Sequence, residues 1–516
     1  MNENNFVFIE ESPSVPPRTF SGAECVFAWL SLLLGYTFCR AFPASDNPLS
    51  AFVFVLLLYG ATFIILAIKG FRFTITPILT AVSSILVASS LVIGSNEFLN
   101  FFAYTYSLAA YTYFVYTSTG NSVNKIFSNY MPIDFIKALF VLPFISFNKI
   151  FKALFLGKKS SKIALKVIAG FAIAIIPTII VFSLLSYDSS FMKLWDTLFT
   201  FNSSLIFSYV ISAIFSIPIG MYLFGLFISS SDKKGSEILT VKQCENTAEK
   251  LKRVPILTTL SATAPILLIY VLFFISQIEY YISGFTSTLP NELSYAEYAR
   301  EGFFQLCVVA VINLLIIIFV SLVMRRSGNE RPLALKLITI IYSVCTLFLI
   351  STAVAKMLMY IEIYGLTQKR IYAFWFMIVL TVVFILISIN QFIPKIKTVA
   401  LSLAVAAALF TVLSVANVDN IIAKVNVDRY INGDLAKIDT KALLDLGDNA
   451  VPELVRLYDH VKEKSKTEKI NSEDFSVLSS LKYELQDLKS QTVNDDLSSF
   501  TISHYRVKKA IENWEK

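Results

Sequence analysis

Apolar residues fall along this chain in continuous runs, not in alternation. Eleven runs approach the roughly 20 residues that cross a bilayer as helix: Gly22 to Phe38, Leu49 to Ile68, Phe73 to Ile93, Phe98 to Tyr116, Val167 to Leu185, Phe201 to Ile228, Val254 to Ile278, Phe303 to Met324, Leu333 to Tyr360, Ile371 to Ile393, and Val399 to Val415. Only helices and closed barrels satisfy their backbone in hydrocarbon, and barrel strands alternate in polarity. The pattern therefore predicts an all-α, polytopic helical membrane bundle of about eleven transmembrane helices over residues 22–416. It also predicts a polar lead-in over residues 1–21 and a small C-terminal helical domain over 417–516.

One apolar stretch breaks the rule. Within residues 131–159, Lys137 and Asn148 bracket only ten residues, and Pro143 interrupts them. Asp134, Lys137, Lys149 and Lys152 recur at helical spacing opposite a row of phenylalanines. That pattern predicts one or two amphipathic helices lying in the membrane interface. Its lysines suit anionic lipid; the alternative is a basic loop that only sets topology.

After Asn417 the pattern turns polar and helical. Val418 to Asn432 continues from the last span. Thr440 to Val461 carries an apolar stripe with a break and restart at Gly447, Asp448 and Pro452. Phe475 to Leu488 and Phe500 to Trp514 are further helical patterns.

Composition agrees with the membrane reading. Hydrophobic residues make up 55% of the 516, charged residues 16%, and mean hydropathy is +0.65, which excludes an ordinary soluble domain. The lead-in holds Glu3, Glu10 and Glu11 and has no basic region before the first apolar run, unlike a cleavable signal. Twenty-three Lys and Arg fall in the lead-in and alternate short loops, against five in the opposite ones (Arg40, Lys193, Arg300, Lys369 and Arg370). This asymmetry predicts a cell-membrane protein with a cytoplasmic N-terminus and, for an odd number of spans, an extracytoplasmic tail. The tail carries 15 basic and 18 acidic residues, so it offers no footprint for nucleic acid.

The chemistry is sparse. His460 and His504, the two histidines, both fall in the tail and read as solvated surface; the five cysteines form no CxxC. No metal site, cofactor or catalytic residue is predicted, and a membrane enzyme ranks last among the functional classes. The polar residues of the membrane region gather at the tail-side ends of the seventh to tenth spans. Lys356 lies within an apolar segment, where a charge costs at least ~2.5–3.5 kcal/mol on insertion scales. Glu279, Glu301 and Glu362 are its candidate partners, and Arg300, Arg370, Tyr298, Tyr360 and Tyr364 flank the same mouth. Together they predict a polar outer vestibule suited to an anionic group. The alternative is a snorkelling lysine in an aromatic belt.

Four stretches carry a family resemblance: Tyr298-Ala299-Arg300-Glu301-Gly302-Phe303; Tyr360 through Tyr364-Gly365-Leu366-Thr367 to Arg370 and Tyr372; Asn426-Val427-Asp428-Arg429-Tyr430; and Asp448-Asn449-Ala450-Val451-Pro452. From about Tyr295 to Leu457 the chain resembles a bacterial polytopic membrane family of domains of unknown function, numbered 4153 and 4173. The resemblance implies a bacterial multi-pass membrane protein and no activity. Two expectations follow, a transporter-like protein using the vestibule or a sensor or scaffold using the tail. The expected partners are membrane lipids, including anionic lipid at the basic loop, and a small solute or a protein.

Overall fold

The computed structural model describes the chain outside residues 1–17, 43–45, 95, 123–127, 156–169, 171–173, 175–176, 179, 199–202, 287–302, 326–330, 468–471, 492–499 and 515–516. Among the described residues the regular structure is helical, apart from an isolated bridge between Val254 and Met324. The membrane region contains α1 (Gly22–Ala41), α2 (Pro48–Ile68), α3 (Ile75–Ile93), α4 (Glu97–Ser118), α5 (Ser203–Ser231), α6 (Ile256–Thr286), α7 (Phe303–Val323), α8 (Leu333–Tyr364), α9 (Gln368–Phe392) and α10 (Thr398–Val415). Among the described residues nine helices are long and apolar enough to cross a membrane: all of these except α4. Helix α4 has the length, 22 residues, but is diluted by tyrosines. Tyr104, Tyr111, Tyr113 and Tyr116 are all buried. Nine of the 19 residues of the expected span from Val167 to Leu185 fall outside the described residues.

Local chemistry sets the helix ends. Ser21 and Glu24 form a reciprocal capping box at the start of α1. Pro48 opens α2, where its missing N–H costs nothing. Asn96 caps α4 by accepting from Leu99 N at 2.8 Å.

The helices pack in two groups. Helices α1 to α5 share one core that includes Phe54, Leu58, Tyr111 and Tyr116. Helices α6 to α9 share another around Tyr342, Leu349 and Phe384. Helix α10 packs on α3 of the first group and α9 of the second. Helices α1 and α5 approach closely: a Cβ on Gly35 would lie 2.5 Å from Ser216 O, the small-residue packing expected where lipid supplies no hydrophobic drive. In the second group, buried Tyr270 donates to Asn313 Oδ1, and Asn313 donates to Thr346 at 2.8 Å. Asn313 thus links α6, α7 and α8. At the lead-in end, Glu24 pairs with Arg18 at 2.8 Å and Lys69 at 2.7 Å, and Arg18 also meets Asp232 at 2.7 Å. This ties together the ends of α1, α2 and α5.

The segment starting at Met131 is helical in short pieces as far as Leu154, interrupted by a π turn over Lys137–Val141. It lies against the last turns of α5, with Tyr222 donating to Leu139 O at 2.9 Å and Ser229 bonded to Ser146 at 2.8 Å. Its polarity is partly inverted from the amphipathic expectation. Lys137 is fully buried beside buried Asp134, whereas Phe140 and Phe144 are 63% and 58% exposed. The reason is pairing: Asp134 accepts from Tyr116 at 2.8 Å and meets Lys137 Nζ at 3.7 Å, and Lys137 donates to Gly235 O at 3.4 Å. Lys137 is therefore not part of a lipid-facing lysine cluster.

The tail follows the sequence pattern closely. Helix α11 runs Val418–Ile431; the break appears as Thr440–Leu444 and a 3-10 turn at Gly447–Asn449; α12 (Val451–Thr467), α13 (Ser472–Gln491) and α14 (Ile502–Asn513) complete it. Its core of Ile422, Val427, Leu454, Leu457, Leu481 and Trp514 continues into Leu99 of α4 and Leu413 of α10.

Candidate functional site

At the tail-side end of α8, a 32-residue helix, Ile361 O accepts from the Gly365 amide at 2.9 Å, and the carbonyls beyond it have run out of helical amides. Gly365 terminates the helix at φ 73° and ψ −173°, a region open essentially to glycine alone. The chain then turns through Leu366 and Thr367 into α9.

Two arginines and an asparagine close this end. Arg370 donates to Tyr364 O at 3.1 Å and to Gly365 O, and its guanidinium lies 4.1 Å from the Tyr360 ring centroid. Arg429, on α11, donates to Ile361 O at 2.9 Å and to Glu362 O. Asn426, one turn earlier on the same face, accepts from Leu366 N at 2.7 Å and donates to Leu366 O at 2.9 Å. Cations at a helix C-terminus also complement its dipole. The tail is thus bonded to the α8–α9 connection through backbone groups.

A second set of contacts joins α9 to the tail and to the first helix group. Gln368 donates to Asp419 at 2.8 Å, and Asn96 donates to Tyr372 at 2.7 Å. Asp419 is 2% exposed, and its Oδ2 has no hydrogen-bond partner. Burial holds its carboxyl above the usual carboxylate range, against the opposing hydrogen bonds from Gln368 and Asn96. Farther along, Ser503 at the start of α14 donates to Ile93 O at 2.7 Å, where α3 ends.

The sign of the Asp419 effect is fixed by linkage. A carboxyl whose folded pKa is raised binds more protons folded than unfolded, so its contribution to stability declines as pH rises through the interval between the two values. Tail docking in the wild type should therefore weaken from the ordinary aspartate range up through the raised folded pKa. Asp419→Asn should abolish that component. Thermal unfolding of both proteins against pH checks this; identical slopes would contradict it.

Of the expected vestibule residues, Tyr360, Tyr364 and Arg370 come together, with the two tyrosine rings 5.0 Å apart. Glu362 contributes its carbonyl to Arg429 while its residue surface is exposed. Lys356 is half-buried on α8, one turn before Tyr360. Tyr298, Arg300 and Glu301, and the side chain of Glu279, lie outside the described residues. Sequence reasoning missed Asn96, Gln368, Asp419 and Ser503 as joint residues. Asn426 and Arg429 stood inside a quoted motif, and their i, i+3 spacing placed them on one helix face.

Two further polar features belong to the tail. Clefts of about 710 and 800 Å³ share Ile431, His460, Glu463 and Lys466 between α11 and α12. His460 thus lines a concave surface. His504 Nδ1 lies 3.1 Å from Asp448 Oδ2.

Comparison with known families adds one match. The model of the domain of unknown function DUF4153 covers residues 81–457. The chain belongs to the DUF4153 family. No curated protein and no solved structure matches it. The DUF4153 stretch begins in α3 and ends in α12. It contains Asn96, Gly365, Gln368, Arg370, Asp419, Asn426 and Arg429, and it leaves out Ser503.

Proposed function

We propose that this DUF4153 member is a membrane-anchored sensor or scaffold whose helical tail is the interaction module. The observation that carries the reading is the joint. Arg370, against the Tyr360 ring, donates to the Tyr364 carbonyl at the end of α8, and Arg429 and Asn426 bind the tail to the same turn. The tail also reaches α3 and α4, so it bridges both helix groups. Its His460 cleft supplies polar, concave surface for a partner. The charge asymmetry of the loops supports a tail outside the cell membrane and a cytoplasmic N-terminus. A reporter inserted at Gly235 should then read the cytoplasm and one fused after Lys516 the exterior; the same compartment for both would overturn this sidedness.

Transport is the second reading, favoured by half-buried Lys356 within an apolar helix. One experiment separates the two. A photo-crosslinking residue at Asp459, on the cleft rim, should trap a discrete partner in cells expressing the chain, and Arg456→Ala should remove that adduct. In liposomes the purified protein should carry no solute-dependent current. A current lost in Lys356→Met, with no adduct from position 459, would reverse the ranking.

A further inference from the structure

A groove of about 560 Å³ opens between α3, α4, α10 and the start of the broken segment. This is within the range of ligand sites, about 300–1,000 Å³. Its walls include Leu79, Ala110, Phe135, Leu403, Ala404 and Ala407. Three of the lining hydroxyls, those of Thr80, Ser83 and Tyr106, are already bonded inside the protein. Thr80 donates to Thr76 O at 2.9 Å, and Ser83 lies 3.1 Å from Thr80 O and 2.9 Å from Tyr106 Oη. The groove therefore presents mainly hydrocarbon. Leu79 and Ile136 on its walls are each 52% exposed, so it opens sideways, where the bilayer lies.

One end of the groove is cationic. Three of its walls start at the same end of the bundle: α3 just after Arg72, α10 just after Lys395 and Lys397, and the broken segment at Met131. Val399 N donates to Asn129 Oδ1 at 3.2 Å, which ties the start of α10 to that of the broken segment. Arg72, Lys395 and Lys397 are all exposed there. Two described acids on this side of the bundle are already engaged: Asp134, buried against Tyr116 and Lys137, and Glu245, 3.4 Å from Tyr130 Oη. Positive charge therefore prevails where an apolar slot begins.

We infer that the groove binds one anionic glycerophospholipid, an acyl chain lying between α3 and α10 and the phosphate held by Arg72, Lys395 and Lys397. Small side chains on α10 make the slot, and the three cations select the headgroup. The site lies at the opposite end of the bundle from the tail joint and does not depend on how the tail is used. Because α10 bridges the two helix groups, the lipid is a structural component of their contact.

The full-length protein, stripped in detergent and titrated with phosphatidylglycerol or phosphatidylcholine of identical chains, tests this by native mass spectrometry. One phosphatidylglycerol per chain should persist, with phosphatidylcholine held much less. The triple variant Arg72→Gln, Lys395→Gln, Lys397→Gln should bind phosphatidylglycerol about 100-fold more weakly, from the loss of three surface cations near an anionic headgroup. Ala407→Phe should fill the slot and reduce retention of both lipids. Equal binding of the two lipids by the wild type, or an unchanged triple variant, would overturn the proposal. The triple variant changes exposed residues only, so it decides the matter even if Ala407→Phe fails to fold.

Discussion

Gly365→Ala should loosen the tail from the bundle at a cost of about 2–6 kcal/mol. Backbone strain for a side chain at φ 73° and ψ −173° costs on the order of 1–3 kcal/mol. In addition, the new Cβ would lie 2.6 Å from Asn426 Oδ1. That atom accepts from Leu366 N, so its displacement breaks the paired hydrogen bonds, each worth about 0.5–1.5 kcal/mol. Protease cleavage between α11 and α12, followed against temperature, should begin well below the wild-type onset. A variant as resistant as the wild type would show that the tail does not depend on this turn.

Lys137→Met should destabilise the first helix group by about 3–5 kcal/mol, the usual cost of leaving one partner of a buried ion pair uncompensated. Both residues are essentially inaccessible, at 0% and 1% exposure, so water cannot solvate the orphaned carboxylate. Tyr116 would remain as a donor to Asp134, but Gly235 O would lose its contact with Lys137. The double variant Asp134→Leu, Lys137→Met removes both charges and should recover most of the loss. Thermal unfolding of the three proteins in detergent checks this. Recovery failing in the double variant would mean the pair serves more than charge balance.

The architecture was legible because membrane helices announce themselves through length and continuous apolarity, which depend on residues near in sequence. The tail was legible for a similar reason: the apolar stripe and the Gly447–Pro452 punctuation give the break before α12. The joint was harder to read. Asn426 meets Leu366 sixty residues away, through backbone atoms that every residue type carries, so no side-chain pattern marks the target. The vestibule expectation grouped Arg370 with Tyr360 and Tyr364, but nothing in the residue pattern marked the Tyr364 and Gly365 carbonyls that Arg370 also meets. The burial of Lys137 was hidden because a lysine at helical spacing among phenylalanines looks the same whether it faces headgroups or pairs inward with Asp134.

Asn426 and Arg429 hold the tail to the membrane bundle at the α8–α9 turn. Hydrogen exchange of the peptide covering Tyr364 to Thr367 measures this attachment most directly, because the Leu366 amide owes its hydrogen bond to Asn426 alone among the described partners. The Leu366 amide should be protected in the wild type and exchange fast in Asn426→Leu. An amide that exchanges at the open-chain rate in the wild type would contradict it.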